Sequence, residues 1–135
     1  MIGARAWIQT VPNQHEKTPS ILIKEGTHIG RNVTISAAKS ITIGKRCLLS
    51  YNVSILDHSH VWDDPNISPL DSGITEGKSV LVGDHCFIGA HSFIMTGVTL
   101  GRHCVVGANS VVAESFPDFS VVTGSPAKLI RTLQG

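Results

Sequence analysis

Residues 82–112, VGDHCFIGAHSFIMTGVTLGRHCVVGANSVV, repeat one pattern every six positions. A small residue often follows each apolar residue directly, as Gly83 and Gly89 do, and a small or semi-polar residue such as Cys86 or Ser92 comes four positions after it. A helix would need apolar spacings of three and four. Each unit is therefore interpreted as one short strand, with its apolar residue pointing inward, and one tight corner. The apolar positions are Val82, Ile88, Ile94, Leu100, Val106 and Val112.

The same period recurs upstream in two other phases. Three units make one 18-residue coil of a triangular prism, an all-β fold in which parallel strands stack about 4.8 Å apart. One coil cannot bury its inner face alone, so coils must stack and bring residues 18 apart into contact. The upstream apolar positions are Ile23, Ile29, Ile35 and Ile41, then Ile43, Leu49 and Ile55. The predicted contacts pair Ile88 with Val106, Cys86 with Cys104 and Ser92 with Ser110.

Composition agrees with strands and excludes several classes of protein. The chain has 135 residues, which suits one domain, and it contains 27 Ile and Val against 9 Leu, a bias that favours a pleated surface. A net charge of +1 argues against nucleic-acid or membrane-surface binding. No apolar run reaches the roughly 18 residues needed to span a bilayer, and no export signal is visible, so we expect a cytoplasmic protein. Cys47, Cys86 and Cys104 occupy corner positions, and we expect them to be structural thiols.

The repeat is interrupted once and is bounded at both ends. Residues Val61 to Val80 carry Pro, Gly and Asp residues and are predicted to form a loop outside the prism. The repeat stops at Phe116-Pro117, and the tail is predicted to form a short helix over about 126–133, with Ser125 as its cap and Pro126 in its first turn. The N-terminal segment, residues 1–19, shows no repeat and is expected to pack on the first coil.

From about Ile21 to Leu133 the sequence resembles the hexapeptide-repeat acyltransferases, which fold as a left-handed parallel β-helix. The handedness comes from the resemblance, because spacing alone does not supply it. The resemblance implies an acetyl-CoA-dependent O-acetyltransferase that modifies a hydroxyl of a sugar or a surface-polysaccharide precursor and needs no metal. It also implies a homotrimer with active sites between subunits.

The run Asp57-His58-Ser59-His60 at the edge of the loop is the main candidate for catalysis. In the family pattern that Asn52-Val53-Ser54-Ile55 begins, the catalytic histidine falls on His60, so the resemblance implies that His60 is the general base. An alcohol is a poor nucleophile at neutral pH, and imidazole titrates near neutrality. Asp57 is a second catalytic candidate because a carboxylate can orient an imidazole, and whether it reaches His58 or His60 is left open. Ser59 is expected at a small corner position.

The resemblance also indicates where coenzyme A would bind. Small residues at Gly89, Ala90 and Ala108 would let the pantetheine arm approach the backbone. Lys128 and Arg131 in the tail are candidate partners for its phosphates. The chain departs from the family pattern at Phe87, where a Trp is common, and at Ala113-Glu114, where a Thr-Lys pair often stands. The second departure replaces a cation with an anion near the expected phosphate end.

Three other functions compete with this one. An antibiotic or other xenobiotic acetyltransferase would share the fold and the histidine. A γ-carbonic-anhydrase-like zinc protein would use three histidine ligands, and His85 and His103 lie 18 residues apart with His91 between them. The ligand pair expected for that class is absent, however, and the tail typical of coenzyme A enzymes is present. A non-catalytic scaffold is the third alternative. The seven histidines are His15, His28, His58, His60, His85, His91 and His103.

Overall fold

A computed structural model describes residues 1–134 and shows fifteen β-strands in three sheets around one core. Sheet 1 contains β1 (Trp7–Thr10), β4 (Thr34–Ala37), β7 (Ser54–Leu56), β10 (Phe93–Ile94) and β13 (Val111–Val112). Sheet 2 contains β2 (Ser20–Ile23), β5 (Ser40–Ile43), β8 (Val80–Val82) and β11 (Thr99–Leu100). Sheet 3 contains β3 (His28–Ile29), β6 (Leu48–Leu49), β9 (Phe87–Ile88), β12 (Val105–Val106), β14 (Ser120–Gly124) and β15 (Ala127–Thr132). The chain visits sheets 1, 2 and 3 in turn, which is a triangular parallel β-helix.

The predicted register is confirmed by the strand pairs. Ile88 lies beside Val106, and the N–H of Ser110 donates to Ser92 Oγ at 3.3 Å. All six repeat positions between Val82 and Val112 are fully buried. The hexads therefore build the core, and the fold is the all-β left-handed helix that the resemblance implied.

Earlier coils are longer, which explains the change of phase in the sequence. Ile35 pairs with Ile55, twenty residues further on, whereas later coils repeat after eighteen. The two phases meet in β5, where Ile41 and Ile43 both point into the core. The extra residues form the corner before β5, and this corner later supplies hydrogen bonds to the candidate site.

Three of the corners share two backbone requirements. A Cβ at Gly83 would lie 2.7 Å from the carbonyl of Gly101 in the next coil, so a side chain there would force the coils apart. Two residues later the backbone takes a positive φ, as at His85 (62°), His91 (63°) and His103 (55°). These three histidines are thus corner residues, and within residues 1–134 no group of three or more side chains is arranged to hold a metal ion.

The cysteines form a buried column along the corner between sheets 2 and 3. Each Sγ lies near a carbonyl of the following coil, at 3.1 Å for Cys47 and 3.2 Å for Cys86 and Cys104. A hydrogen bond with the Cys104 thiol, a second with Cys47 and burial raise the pKa of Cys86 far above its ordinary value. All three are buried free thiols that pack in the core.

The N-terminal segment adds a strand to the first coil. β1 pairs with β4 in parallel, with Ile8 beside Ile35, and residues 11–19 form a loop before β2. Packing on the first coil was predicted, but the strand was not.

The predicted C-terminal helix is wrong. Residues 127–132 form β15, which pairs antiparallel with β14, and Pro126 lies in the turn between them. β14 would otherwise leave its outer N–H and C=O groups unpaired at the edge of sheet 3, and β15 satisfies them. Across residues 1–134 no helix is long and apolar enough to cross a membrane.

The predicted loop leaves the prism between β7 and β8. Its base is a short antiparallel ladder in which His60 bridges Ile74, and the N–H of Val61 donates to the Gly73 carbonyl at 3.0 Å. The N–H of Thr75 donates to the Ser59 carbonyl at 2.8 Å. This ladder fixes the backbone around His60.

Candidate active site

Asp57 anchors the candidate site to the coil below it. Its side chain is fully buried at the corner between sheets 1 and 2. The N–H of Ala38 donates to Oδ1 at 2.7 Å, and the N–H of Lys39 donates to Oδ2 at 2.8 Å. Ala38 and Lys39 form the longer corner before β5, so the change of repeat length creates the two donors. The change of repeat length is visible in the sequence, but it was not linked to Asp57 in the sequence analysis.

The carboxylate of Asp57 orients His58. Nδ1 of His58 donates to Oδ1 at 3.0 Å, and the imidazole is only 10% exposed. This answers the question that the sequence left open. Ser59 is exposed, contrary to the corner position expected for it, because the chain leaves the coil at Asp57.

Two cavities meet at His60. The inner cavity has a volume of about 230 Å³ and lies on sheet 1, where Leu56, Phe93 and Met95 form an apolar floor beside His58. Thr96 closes one end and donates its Oγ1 hydrogen to the Asp57 carbonyl at 2.7 Å.

The outer cavity lies between the ladder and the loop and has a volume of about 280 Å³. Its lining residues are His60, Val61, Trp62, Asp63 and Thr75. Of these, only His60 also lines the inner cavity, and this residue is exposed.

The small residues expected to contact coenzyme A come together at the corner between sheets 3 and 1. A Cβ at Gly89 would lie 2.6 Å from the Ala108 nitrogen, and the N–H of Asn109 donates to the Ala90 carbonyl at 2.9 Å. The stacking of coils therefore demands glycine at position 89 whether or not a ligand binds. Strand β10 runs from this corner to the wall of the inner cavity.

The two candidate phosphate partners lie on β15. Lys128 pairs with Thr123, and Arg131 is exposed further along the strand. Lys128 Nζ is 4.0 Å from Glu114 Oε1 in an exposed ion pair. Such a pair is worth less than about 1 kcal/mol, so Lys128 can leave Glu114 for a stronger anion.

Known proteins share this fold and its repeat. Residues 79–114 match the family model "Hexapeptide repeat of succinyl-transferase". The hexapeptide-repeat acetyltransferase VCA0836 of Vibrio cholerae is 30% identical with a TM-score of 0.79, covering 98% of this chain and 73% of that one. A second structure of VCA0836, in complex with acetyl coenzyme A, has a TM-score of 0.76 at 28% identity and covers 98% of this chain and 70% of that one.

Two curated proteins of Escherichia coli K12 are also similar. WbbJ, named for an O-acetyl transferase role in lipopolysaccharide biosynthesis, is 34% identical over 118 residues, which cover 82% of this chain and 60% of WbbJ. Galactoside O-acetyltransferase is 30% identical over 141 residues, which cover 98% of this chain and 63% of that protein. The chain thus spans about three fifths of these two relatives.

The chain belongs to the hexapeptide-repeat acetyltransferases, a family of left-handed parallel β-helix proteins.

Proposed function

We propose that the protein transfers an acetyl group from acetyl-CoA to a hydroxyl of a sugar or of a surface-polysaccharide precursor. VCA0836 binds acetyl-CoA, and the names of the two curated relatives describe O-acetyl transfer in lipopolysaccharide biosynthesis and to galactosides. Use of acetyl-CoA favours a cytoplasmic site of action.

The position of His60 at the junction of the two cavities carries the proposal. A base for this reaction must reach the acceptor hydroxyl and lie beside the thioester at the same time. An imidazole nitrogen of His60 takes the hydroxyl proton while the oxygen attacks the thioester carbon. The new C–O bond forms, the C–S bond breaks, and the proton passes from His60 to the sulfur that leaves. His58 lies on the inner side only and is held by Asp57.

The corner between sheets 3 and 1 suits an extended amide-containing arm. Ala90 and Ala108 are accessible there beside the buried Gly89, and Lys128 and Arg131 are exposed cations on β15. We propose that these five residues bind coenzyme A, with the two cations beside its phosphates.

Assembly as a homotrimer would complete the site. The inner cavity lies on the open surface of sheet 1, and a neighbouring prism against that surface would enclose the arm. Sedimentation equilibrium measures the assembly directly, and a protein that is monomeric yet fully active would contradict it.

The experiment compares wild type with His60→Ala and His58→Ala. Release of the coenzyme A thiol is followed with acetyl-CoA and a panel of galactosides, glucosides and maltose, and chloramphenicol tests the xenobiotic alternative. Loss of general-base catalysis should lower kcat by about 10²- to 10⁴-fold in His60→Ala. Unchanged turnover in His60→Ala together with complete loss in His58→Ala would move the base to His58. Absence of turnover with every acceptor, despite tight binding of acetyl-CoA, would refute the class of acceptor.

A further inference from the structure

Trp62 stands at the mouth of the outer cavity with most of its indole open to water. The residue is 70% exposed, although large aromatic residues usually bury most of their surface. It follows His60 by two residues and lines the same cavity. An exposed indole beside a candidate base offers a flat apolar surface to a ligand.

The backbone next to Trp62 is held firmly. The N–H of Val61 donates to the Gly73 carbonyl at 3.0 Å, and His60 bridges Ile74 in the antiparallel ladder. The indole is therefore presented from a fixed support rather than from the tip of a loose loop. A ligand stacking on it loses little free energy to ordering of the protein.

Asp63 places a carboxylate, a hydrogen-bond acceptor, in the lining of the outer cavity. Its carboxylate is exposed, and within residues 1–134 it has no hydrogen-bond or ion-pair partner. Its neighbour Asp64 differs, because Oδ1 of Asp64 accepts the Asn66 N–H at 2.9 Å and so stabilises the loop. Asp63 is free to accept hydrogen bonds from a ligand.

We propose that the outer cavity is the subsite for the sugar ring of the acceptor, with Trp62 stacking on the C–H face of the ring and Asp63 accepting two of its hydroxyls. The inference rests on the proposed acetyl transfer and assigns the sugar to one side of His60. A flat apolar ring, a carboxylate and an imidazole together match a pyranose, which has an apolar face and a rim of hydroxyl donors. A ring held there presents a hydroxyl to His60, while the inner cavity stays open to the thioester.

Steady-state kinetics with the best acceptor of the panel test this assignment. Trp62→Ala should raise the acceptor KM at least tenfold, Trp62→Phe about threefold, and Asp63→Asn between these values, while the acetyl-CoA KM changes less than twofold. Leu70→Ala is the matched control, since Leu70 is 89% exposed on the same loop and lines neither cavity. An acceptor KM that is unchanged in Trp62→Ala and Asp63→Asn would overturn the subsite and leave the transfer reaction standing.

A binding measurement separates the subsite from the chemistry. Saturation-transfer NMR with methyl β-D-galactopyranoside, methyl α-D-glucopyranoside and maltose needs no turnover. Binding of at least one glycoside by wild type and by Leu70→Ala, but not by Trp62→Ala, supports the subsite even if no acetyl transfer occurs. No binding of any glycoside, or binding that Trp62→Ala leaves unchanged, refutes it.

Discussion

Replacing Asp57 with alanine should destabilise the protein because it leaves two backbone donors, one of them buried, without a partner. The carboxylate accepts the Ala38 and Lys39 N–H groups at 2.7 and 2.8 Å and is itself fully buried. An orphaned buried donor costs about 1–3 kcal/mol, and the Lys39 N–H costs less because it is only partly buried. We therefore expect Asp57→Ala to lower the free energy of unfolding by about 2–4 kcal/mol. Asp57→Asn keeps one acceptor oxygen and should lose about half as much.

Urea unfolding followed by far-UV circular dichroism at a fixed protein concentration measures this loss, since oligomers unfold with a concentration-dependent midpoint. Asp71→Ala is the control because Asp71 is an exposed aspartate of the loop between β7 and β8. A loss below about 1 kcal/mol in Asp57→Ala would show that water or a shifted backbone satisfies both donors, and the anchoring role would be wrong.

Three further results are expected from the prism itself. Gly83→Ala should lower the free energy of unfolding by about 1–3 kcal/mol in the same assay, since its Cβ would meet the Gly101 carbonyl, and a stable variant would mean that the coils can separate. The N–H of Lys45 donates to the Asp84 carboxylate and lowers the pKa of Asp84, so Asp84→Ala should lower the Tm at pH 7. The difference in Tm between wild type and Asp84→Ala should shrink as the pH falls below about 4. A difference in Tm that does not depend on pH would contradict this role of Asp84. The three thiols should react with a disulfide reagent only at the rate of unfolding, and fast labelling of the native protein would show that their column is open.

The six-residue repeat of the sequence predicts most of the fold. It placed every inward residue from Val82 to Val112 correctly, because each coil buries its apolar residue against an identical position in the next. Strand β1 was not predicted because it pairs with β4 across a loop. Ile8 lies twenty-seven residues before its partner Ile35, and the segment between these two residues has no continuous six-residue repeat. The helix predicted for the tail was wrong for a related reason. Pro126 and Ser125 are local signals for a helix, whereas the unpaired edge of β14 is a tertiary demand that local sequence does not display.

The candidate site was predictable in its residues but not in its contacts. The interruption of the repeat and the family pattern pointed to the run from Asp57 to His60. The partner of Asp57 depended on where the chain leaves the coil, which periodicity does not determine. The outer cavity requires the fold of the loop, which brings Thr75 back beside Ser59 and so forms a wall around His60.

The antiparallel strand β15 changes the strand direction at the edge of sheet 3. A stack of parallel coils can in principle grow without limit, because each new coil meets an edge like the one before it. β15 reverses the strand direction at the edge of sheet 3, so an incoming parallel coil from another molecule finds mismatched donors and acceptors there. Deleting residues 127–134 should consequently expose the edge of β14 and increase self-association, which light scattering would detect.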